Sequence, residues 1–301
     1  MQNSKNTELH IRHIGLLAMD TLSAEKTATL FSVTSRGIFL LFQNQRMVFL
    51  SFENFRGPLT ANLFDGKSRF FNQSQKETVL IFDEGIHFPS SEIKISTSKA
   101  EVWNPPFPKE NSIHHQERIR LMRSLALDVY QHKPDAGMSK LLPYLVDFNQ
   151  GDVNLDDHFE ELRTKIDMLR EQLAHSDWIA LTETLISFLG VGSGLTPSGD
   201  DFIIGFLLSL NRWKSILIPG RDLSGLNRNV VAAAYRDTTT LSANLVECAT
   251  LGLADERLFQ ANDYLVVGNS QQPEISSGIR NWGNSSGVDA LVGMIAAFRP
   301  T

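Results

Sequence analysis

The 301-residue sequence predicts an α+β protein, in which an N-terminal strand-rich small barrel or sandwich is followed by a mostly α-helical C-terminal domain. Short apolar runs at close spacing, typical of strands, occupy the chain before residue 105. Segments with apolar residues near a 3.6-residue spacing, typical of helices, follow residue 113. Pro105, Pro106 and Pro108 lie between the two patterns, and proline is excluded from helix interiors and central strands. We therefore expect a β-rich domain over residues 1–105 and a helical domain over 106–301.

The predicted strands lie in the first domain. Apolar runs over 37–42 and 47–52 flank a polar break, which predicts a hairpin, and further strands are expected over 78–82, 91–96 and 100–103. Residues 22–30 fit either a short helix capped by Ser23 or an extended segment. Residues 54–62, which include Arg56 before Gly-Pro, break the strand pattern and are expected to form a loop.

Helices are expected from residue 113 onward. The predicted segments are 113–132, 140–148, 156–174, 178–189, 202–213, 226–235, 239–251, 256–267 and 288–298. Asp237 or Thr238 is expected to cap the helix over 239–251. The polar residues 268–287 are expected to form a loop.

The helical domain is organised around a glycine-rich stretch, Gly190 to Asp201, with the sequence GVGSGLTPSGDD. Glycine permits tight turns and lets backbone N–H groups approach a bound group. Ser198 is the predicted N-cap of the next helix, and Asp200 and Asp201 fall in its first turn. Because the start of a helix carries unpaired N–H groups, this stretch predicts an anion site.

The same pattern returns near the C-terminus. Residues 198–205, SGDDFIIG, align without a gap on residues 286–293, SGVDALVG, so both read S-G-x-D-x-x-x-G. The second glycine lies one turn beyond the aspartate on the same helix face and is expected to let another backbone approach closely. The repeat predicts two helix N-termini that face each other or a shared cavity. The plainer alternative is that both copies serve only helix capping and helix packing.

Composition limits the function. The net charge of −6 argues against a general nucleic-acid binder, and 42% hydrophobic residues against global disorder. Cys248 is the only cysteine, which excludes an internal disulfide and fits a reducing cytosol. The N-terminal residues resemble no signal peptide, and no apolar stretch reaches the length that spans a membrane. We therefore expect a soluble cytoplasmic protein that binds neither nucleic acid nor membrane.

The common catalytic signatures are absent from the sequence. It contains no H-E-x-x-H motif and no Cys/His cluster, so no metal ligands are assigned. The glycine-rich stretch lacks the lysine of a P-loop and the G-x-S-x-G of a hydrolase elbow. It also follows a predicted helix, whereas a dinucleotide-binding fingerprint follows a strand.

The remaining motifs predict a pocket for a small anion. Asp201 and Asp289 are the candidate catalytic groups, because a carboxylate accepts N–H from an amide or carbamoyl group; it also suits a divalent cation such as Mg²⁺. No other cofactor is predicted. Arg56 is expected to reach an anion held by the helical domain, although a solvated surface arginine is the alternative. The other candidate ligand-binding residues are Gly192, Ser193, Gly194, Thr196, Ser198, Gly199, Asp200, Thr239, Asn284, Ser285, Ser286 and Gly287.

Three segments, GSGLTPSGDDFIIG, TTTLS and NSSGVDALVG, resemble an uncharacterised bacterial family. The family includes the small subunit of oxamate carbamoyltransferase, from anaerobic allantoin breakdown. The resemblance extends to the R-G-P-L-T segment and to the Trp103-x-Pro105 turn. It implies a cytoplasmic subunit that works with two larger partners, in a complex that exchanges a carbamoyl group between oxamate and phosphate.

Two hypotheses of different class follow from the residues and the resemblance. In the first, the chain is a transferase subunit, active only with its partners, whose helical domain binds carbamoyl phosphate, oxamate or a related amide acid. Catalysis would then rest on orientation and on oxyanion stabilisation by backbone N–H groups. In the second, the chain is an accessory or ligand-sensing subunit without chemistry of its own.

Overall fold

The computed structural model describes residues 9–63, 76–108, 113–148, 155–268 and 270–298. It divides the chain into two compact units, Met1–Pro106 and Phe107–Thr301. The described elements are mainly strands in the first unit and helices in the second. The predicted α+β fold class is therefore confirmed.

The strands of the first unit close into a barrel. The described elements are β1 (Leu9–Gly15), α1 (Leu16–Ala24), β2 (Thr27–Val33), β3 (Gly37–Leu41), β4 (Met47–Ser51), β5 (Thr60–Leu63), β6 (Thr78–Phe82), β7 (Gly85–Phe88), β8 (Ile93–Ser96) and β9 (Glu101–Trp103). Their order is β5-β4-β3-β2-β6-β7-β8-β1, and the pairing of β1 with β5 completes the ring of eight. β9 extends the sheet along β1, where Ile14 faces Val102.

The barrel interior is filled by alternate residues of each strand, as expected for a small barrel. The side chains that are completely buried there are Ile14, Leu30, Ile38, Leu40, Val48, Leu50, Ala61, Val79 and Phe88. The sequence is compatible with a small barrel or a sandwich, and the pairing of β1 with β5 shows that the strands form a barrel.

Most strand predictions are confirmed, and four segments differ. β3 and β4 form the predicted antiparallel hairpin, with Leu41 opposite Met47. Residues 22–30 contain the end of α1 and the start of β2, so Ser23 lies inside a helix and caps none. The expected loop over 54–62 ends in β5, whose four residues are too few to show alternation. β1 and β7 were not predicted.

The second unit consists of helices. The described elements are α2 (His115–His132), a 3-10 turn (Ser139–Leu141), α3 (Leu142–Leu145), α4 (Asp157–His175), α5 (Trp178–Ile186), α6 (Ser198–Arg212), α7 (Lys214–Leu217), α8 (Ser224–Asp237), α9 (Thr240–Thr250), α10 (Glu256–Val267), α11 (Gln272–Asn281) and α12 (Ser286–Phe298). Every residue of α12 after Ser286 is buried, as are nearly all residues of α6. A helix that is apolar all round lies in a core, and these two helices form the centre of the unit.

Two helix predictions are wrong. Residues 268–287 are not one loop, because they contain α11, whose only apolar anchors, Ile275 and Ile279, are too few to reveal the helical period. Neither Asp237 nor Thr238 caps α9. The cap is Thr239, whose hydroxyl accepts the N–H of Ser242 at 3.1 Å.

Candidate functional site

The two motif copies hold α6 and α12 against each other. A Cβ at Gly205 would overlap the backbone carbonyl of Ala290, and a Cβ at Gly293 would overlap the backbone carbonyl of Phe202. Ala290 and Phe202 occupy equivalent positions in the two copies. The contacts are therefore reciprocal, and each second glycine serves the close backbone approach that the repeat predicts.

The first glycine of each copy fixes the start of its helix. A Cβ at Gly199 would overlap the carbonyl of Phe188, and a Cβ at Gly287 would overlap the carbonyl of Ile279. The Gly199 N–H donates to the Val191 carbonyl at 2.8 Å, and the Gly287 N–H donates to the Trp282 carbonyl at 2.9 Å. These two amides are therefore engaged within their own loops.

Ser198 does not cap α6. The helix begins at Ser198, and the residue before it, Pro197, holds the cap position without a side-chain hydrogen bond. The prediction was wrong by one residue, because Pro197 has the extended backbone of a cap residue. The Ser198 side chain is instead close enough to Asp289, in the other copy, to influence its pKa.

The two helix starts converge, as the repeat predicts. The Thr196 and Ser286 hydroxyls lie 3.1 Å apart although 90 residues separate them in sequence. Ser286 and Thr196 also adjoin Asp201, and Ser198 and Ser285 adjoin Asp289. Each carboxyl group is thus accompanied by the motif serine of the other copy.

Asp201 is completely buried, and within the described part of the chain neither of its carboxylate oxygens has a hydrogen-bond partner of acceptable geometry. Burial raises the pKa of Asp201 well above its usual range, and the charges of Asp289 and Asp200 raise it further. The hydroxyls of Ser286 and Thr196 act in the opposite direction. A buried acid without a cationic partner is costly to ionise, and such groups concentrate at functional sites.

Asp289 is also completely buried but has one firm partner. Its Oδ1 accepts the N–H of Met138 at 2.6 Å, whereas its Oδ2 has no hydrogen-bond partner in the ranges that the structure describes. Burial raises the pKa of Asp289 to about 6, opposed by the hydrogen bond from Met138 and by the nearby hydroxyls of Ser198 and Ser285. Gly137 has a φ of 51°, and a Cβ there would overlap the Asp289 carboxylate.

Gly137 and Met138 are site residues that the sequence analysis missed. They lie after α2, Met138 being 151 residues from Asp289 in sequence, and no local pattern links them to the motif. The only available signal was Gly137 itself, which ends a predicted helix and supplies the left-handed backbone that L-residues avoid.

The raised pKa of Asp289 predicts a pH-dependent stability. At pH values between the ordinary pKa and the raised pKa, the folded chain keeps the proton of the Asp289 carboxyl group, whereas the unfolded chain has lost it. The stability that Asp289 contributes is therefore fully present below pH 4 and is lost as the pH rises through about 6. Between pH 4 and neutral pH, the free energy of unfolding of the wild type should therefore fall by roughly 3 kcal/mol because of this group. Asp289→Asn should not show this fall. Urea unfolding of both proteins from pH 4 to 8, without phosphate or divalent ions, measures the difference. A difference that does not vary with pH would contradict the assignment.

Asp200 has a structural environment that differs from that of Asp201. It accepts the Gly190 N–H at 2.8 Å and the hydroxyl of Thr238. Thr239 likewise donates its hydroxyl to the Leu195 carbonyl at 2.7 Å. The hydroxyl-rich start of α9 therefore fixes the glycine-rich loop, and both Asp200 and Thr239 have protein partners.

The tip of the glycine-rich loop is exposed. Gly192, Ser193 and Gly194 are all solvent-exposed, and the two glycines have φ values of 111° and 104°. These backbone conformations require glycine. A Cβ at Gly194 would meet no atom within 4 Å, so the loop is open on that side.

The loop before α12 is held by Lys133, the residue that follows α2. The Asn284 carbonyl accepts the Lys133 ammonium at 2.6 Å, and the Asn284 residue is exposed. The Ser285 carbonyl accepts the N–H groups of Val288 and Asp289, which starts α12. The structure thus groups Asn284, Ser285 and Ser286 with the first loop through the contact between Ser286 and Thr196.

Arg56 belongs to the N-terminal unit. Its guanidinium lies 5.8 Å from the centre of the Trp103 ring, a cation–π contact that joins the R-G-P-L-T segment to the Trp103-x-Pro105 turn. The predicted role of Arg56 toward an anion stays a prediction.

The described parts of the chain contain no cluster of three or more His, Cys, Asp and Glu side chains that could hold a metal ion. The candidate site itself brings together two carboxyl groups, those of Asp201 and Asp289, with hydroxyls beside them.

Among the helices of the described ranges, none has the length and apolar character needed to cross a bilayer.

The fold and the site define a class: an α+β protein with a closed N-terminal barrel and a helical unit in which two equivalent helix starts meet at a pair of buried carboxyl groups. The family model described as oxamate carbamoyltransferase subunit AllH matches residues 188–298. The match begins in the turn after α5, contains both motif copies and ends with α12. It confirms the resemblance drawn from the motifs and is consistent with membership of that family. No solved structure matches the chain at a significant level.

Proposed function

We propose that the chain is a subunit of an oxamate carbamoyltransferase-like complex and that the converging loops bind a small anionic amide or phosphate. The observation that supports this proposal most directly is the 3.1 Å contact between the hydroxyls of Thr196 and Ser286. This contact brings together the two motif copies, which contain Asp201 and Asp289. The family match supports the reaction class, because residues 188–298 contain both motif copies and the contact between them.

The arrangement offers two kinds of polar group to one ligand. The exposed backbone of Gly192 to Gly194, together with the positive ends of α6 and α12, suits phosphate or carboxylate. The buried oxygens of Asp201 and Asp289 that lack partners suit the N–H groups of an amide or carbamoyl group. Carbamoyl phosphate and oxamate each carry an anionic end and an amide end, so either satisfies both kinds of group.

The chemistry that such a site supports is orientation and charge stabilisation. A ligand held at both ends is fixed with its carbonyl between the loops, and loop N–H groups stabilise the negative charge that develops on the carbonyl oxygen. The reaction needs no covalent intermediate with the protein. The family description is that of a subunit, so we expect turnover only in the assembled complex.

Calorimetry on the purified chain tests the proposal with inorganic phosphate, carbamoyl phosphate and oxamate as separate titrants. We expect at least one of them to bind, and Thr196→Val to weaken binding by about tenfold, the effect of one lost hydrogen bond of about 1.4 kcal/mol. Thr164→Val is the matched control, because the Thr164 hydroxyl lies on the exposed face of α4 and donates to the backbone carbonyl of Glu160.

Absence of binding by all three compounds would contradict the proposed site. If the wild type binds them but the assembled complex turns over equally well with a chain that cannot bind, the accessory or ligand-sensing role replaces the catalytic one.

A further inference from the structure

The carboxyl pair of Asp201 and Asp289 lacks a positive counterpart. Both residues are completely buried, and three of their four carboxylate oxygens have no hydrogen-bond partner among the residues that the structure describes. Within the described ranges, the charges that raise the pKa of Asp201 are those of Asp289 and Asp200, and no cation is among the groups that shift the pKa of Asp289. Isolated buried charges cost several kcal/mol each, so an ionised pair in this place needs a compensating cation or a proton.

The side-chain polar atoms beside the pair are hydroxyl oxygens, and the backbone N–H of Met138 donates to Asp289. The hydroxyls of Thr196 and Ser286 adjoin Asp201, and those of Ser198 and Ser285 adjoin Asp289. No nitrogen or sulfur ligand accompanies them among these neighbouring side chains. Carboxylate and hydroxyl oxygens are hard donors, which favour Mg²⁺, Mn²⁺ or Ca²⁺ over zinc or copper.

We propose that Asp201 and Asp289 together hold one hard divalent cation, such as Mg²⁺, between the starts of α6 and α12. Two carboxylates balance its charge and match the one or two that Mg²⁺ commonly takes from a protein. Water and ligand oxygens complete its coordination. This inference rests on the proposed function in one respect only, namely that a phosphate-bearing ligand would supply those oxygens.

The alternative is that the pair keeps its protons. Two adjacent buried carboxyl groups are then neutral or share a single proton, and the site is a polar contact within the helix interface. The two readings differ in a property that does not depend on catalysis, because only the first gives the resting chain an affinity for a divalent ion.

Mn²⁺ binding by the metal-stripped full chain at pH 7.5, followed by electron paramagnetic resonance, tests the proposal, with Mg²⁺ as competitor. We expect the wild type to bind one Mn²⁺ per chain and Mg²⁺ to displace it. Asp201→Asn and Asp289→Asn should each bind Mn²⁺ at least about 100-fold more weakly, because changes around a metal site alter its affinity on that scale. Asp222→Asn is the control, because Asp222 is exposed and bonds Ser224 away from the site.

Thermal unfolding guards against misfolded variants. In EDTA, Asp201→Asn should melt no lower than the wild type, because it removes a buried charge. Addition of Mg²⁺ should raise the melting temperature of the wild type and of Asp222→Asn but leave that of the two site variants unchanged. A wild type that binds no Mn²⁺ and is not stabilised by Mg²⁺ overturns the proposal, and so does binding that survives in both site variants.

Repeating the ligand titrations in EDTA separates this inference from the proposed function. Phosphate, carbamoyl phosphate or oxamate binding in a wild type that takes no metal would leave the ligand site standing and remove the cation. Metal binding without binding of any of the three compounds would keep the cation and remove the proposed ligand.

Discussion

Replacing Asp201 or Asp289 by asparagine is expected to lower carbamoyl transfer by the assembled complex by about 10²- to 10³-fold while the chain stays folded, the loss typical of removing one preorganised polar group from an active site. Asparagine keeps the shape of the side chain but removes its charge. It therefore replaces one acceptor oxygen by an NH₂ donor and removes the charge that would hold the cation. Transfer of the carbamoyl group from carbamoyl phosphate to oxamate, followed as phosphate release by complexes rebuilt with each variant, measures the effect.

Asp200→Asn provides the matched comparison. Asp200 lies in the same first turn but is bonded to the Gly190 N–H and to Thr238. Its substitution should lower the free energy of unfolding by about 1 kcal/mol, the worth of one such hydrogen bond. Asp201→Asn should show the reverse pattern, with stability retained and turnover lost. Full activity in both Asp201→Asn and Asp289→Asn would exclude these carboxyl groups from the reaction.

The central helices of the site could be predicted from sequence because their information is local. The S-G-x-D-x-x-x-G pattern repeats without a gap, and the apolar residues that follow it on every side of the helix indicate a buried core. The close helix contact followed from the second glycine of each copy. These features need no knowledge of distant residues.

Other features depended on contacts between distant residues. Met138 reaches Asp289 across 151 residues, and its segment carries no pattern that points there. Barrel closure likewise depends on β1, which pairs with both β5 and β8. The alternation of Leu9 and Ile11 with polar residues was a usable strand pattern for β1. α11 offered less, because two buried isoleucines in a polar segment do not establish a helical period.

Gly205→Ala and Gly293→Ala are each expected to lower the free energy of unfolding of the helical unit by about 3 kcal/mol or more. This loss is at or beyond the upper end of the destabilisation that substitutions cause when they overpack a core. In an exposed helix the same change would stabilise by about 1 kcal/mol. Here the new methyl group meets a backbone carbonyl, of Ala290 in one case and of Phe202 in the other, and a backbone cannot rotate away as a flexible side chain can. Urea unfolding followed by the circular dichroism of the helices measures the loss.

Gly225→Ala is the control, because Gly225 lies in α8 and a Cβ there meets no atom within 4 Å. It should be neutral or stabilising. The Gly205/Gly293 double variant should lose less than the sum of the single losses, because helices already forced apart by one methyl group leave room for the second. If Gly205→Ala proves as stable as Gly225→Ala, α6 and α12 do not cross at backbone contact, and the meeting of Asp201 with Ser286 then loses its structural support.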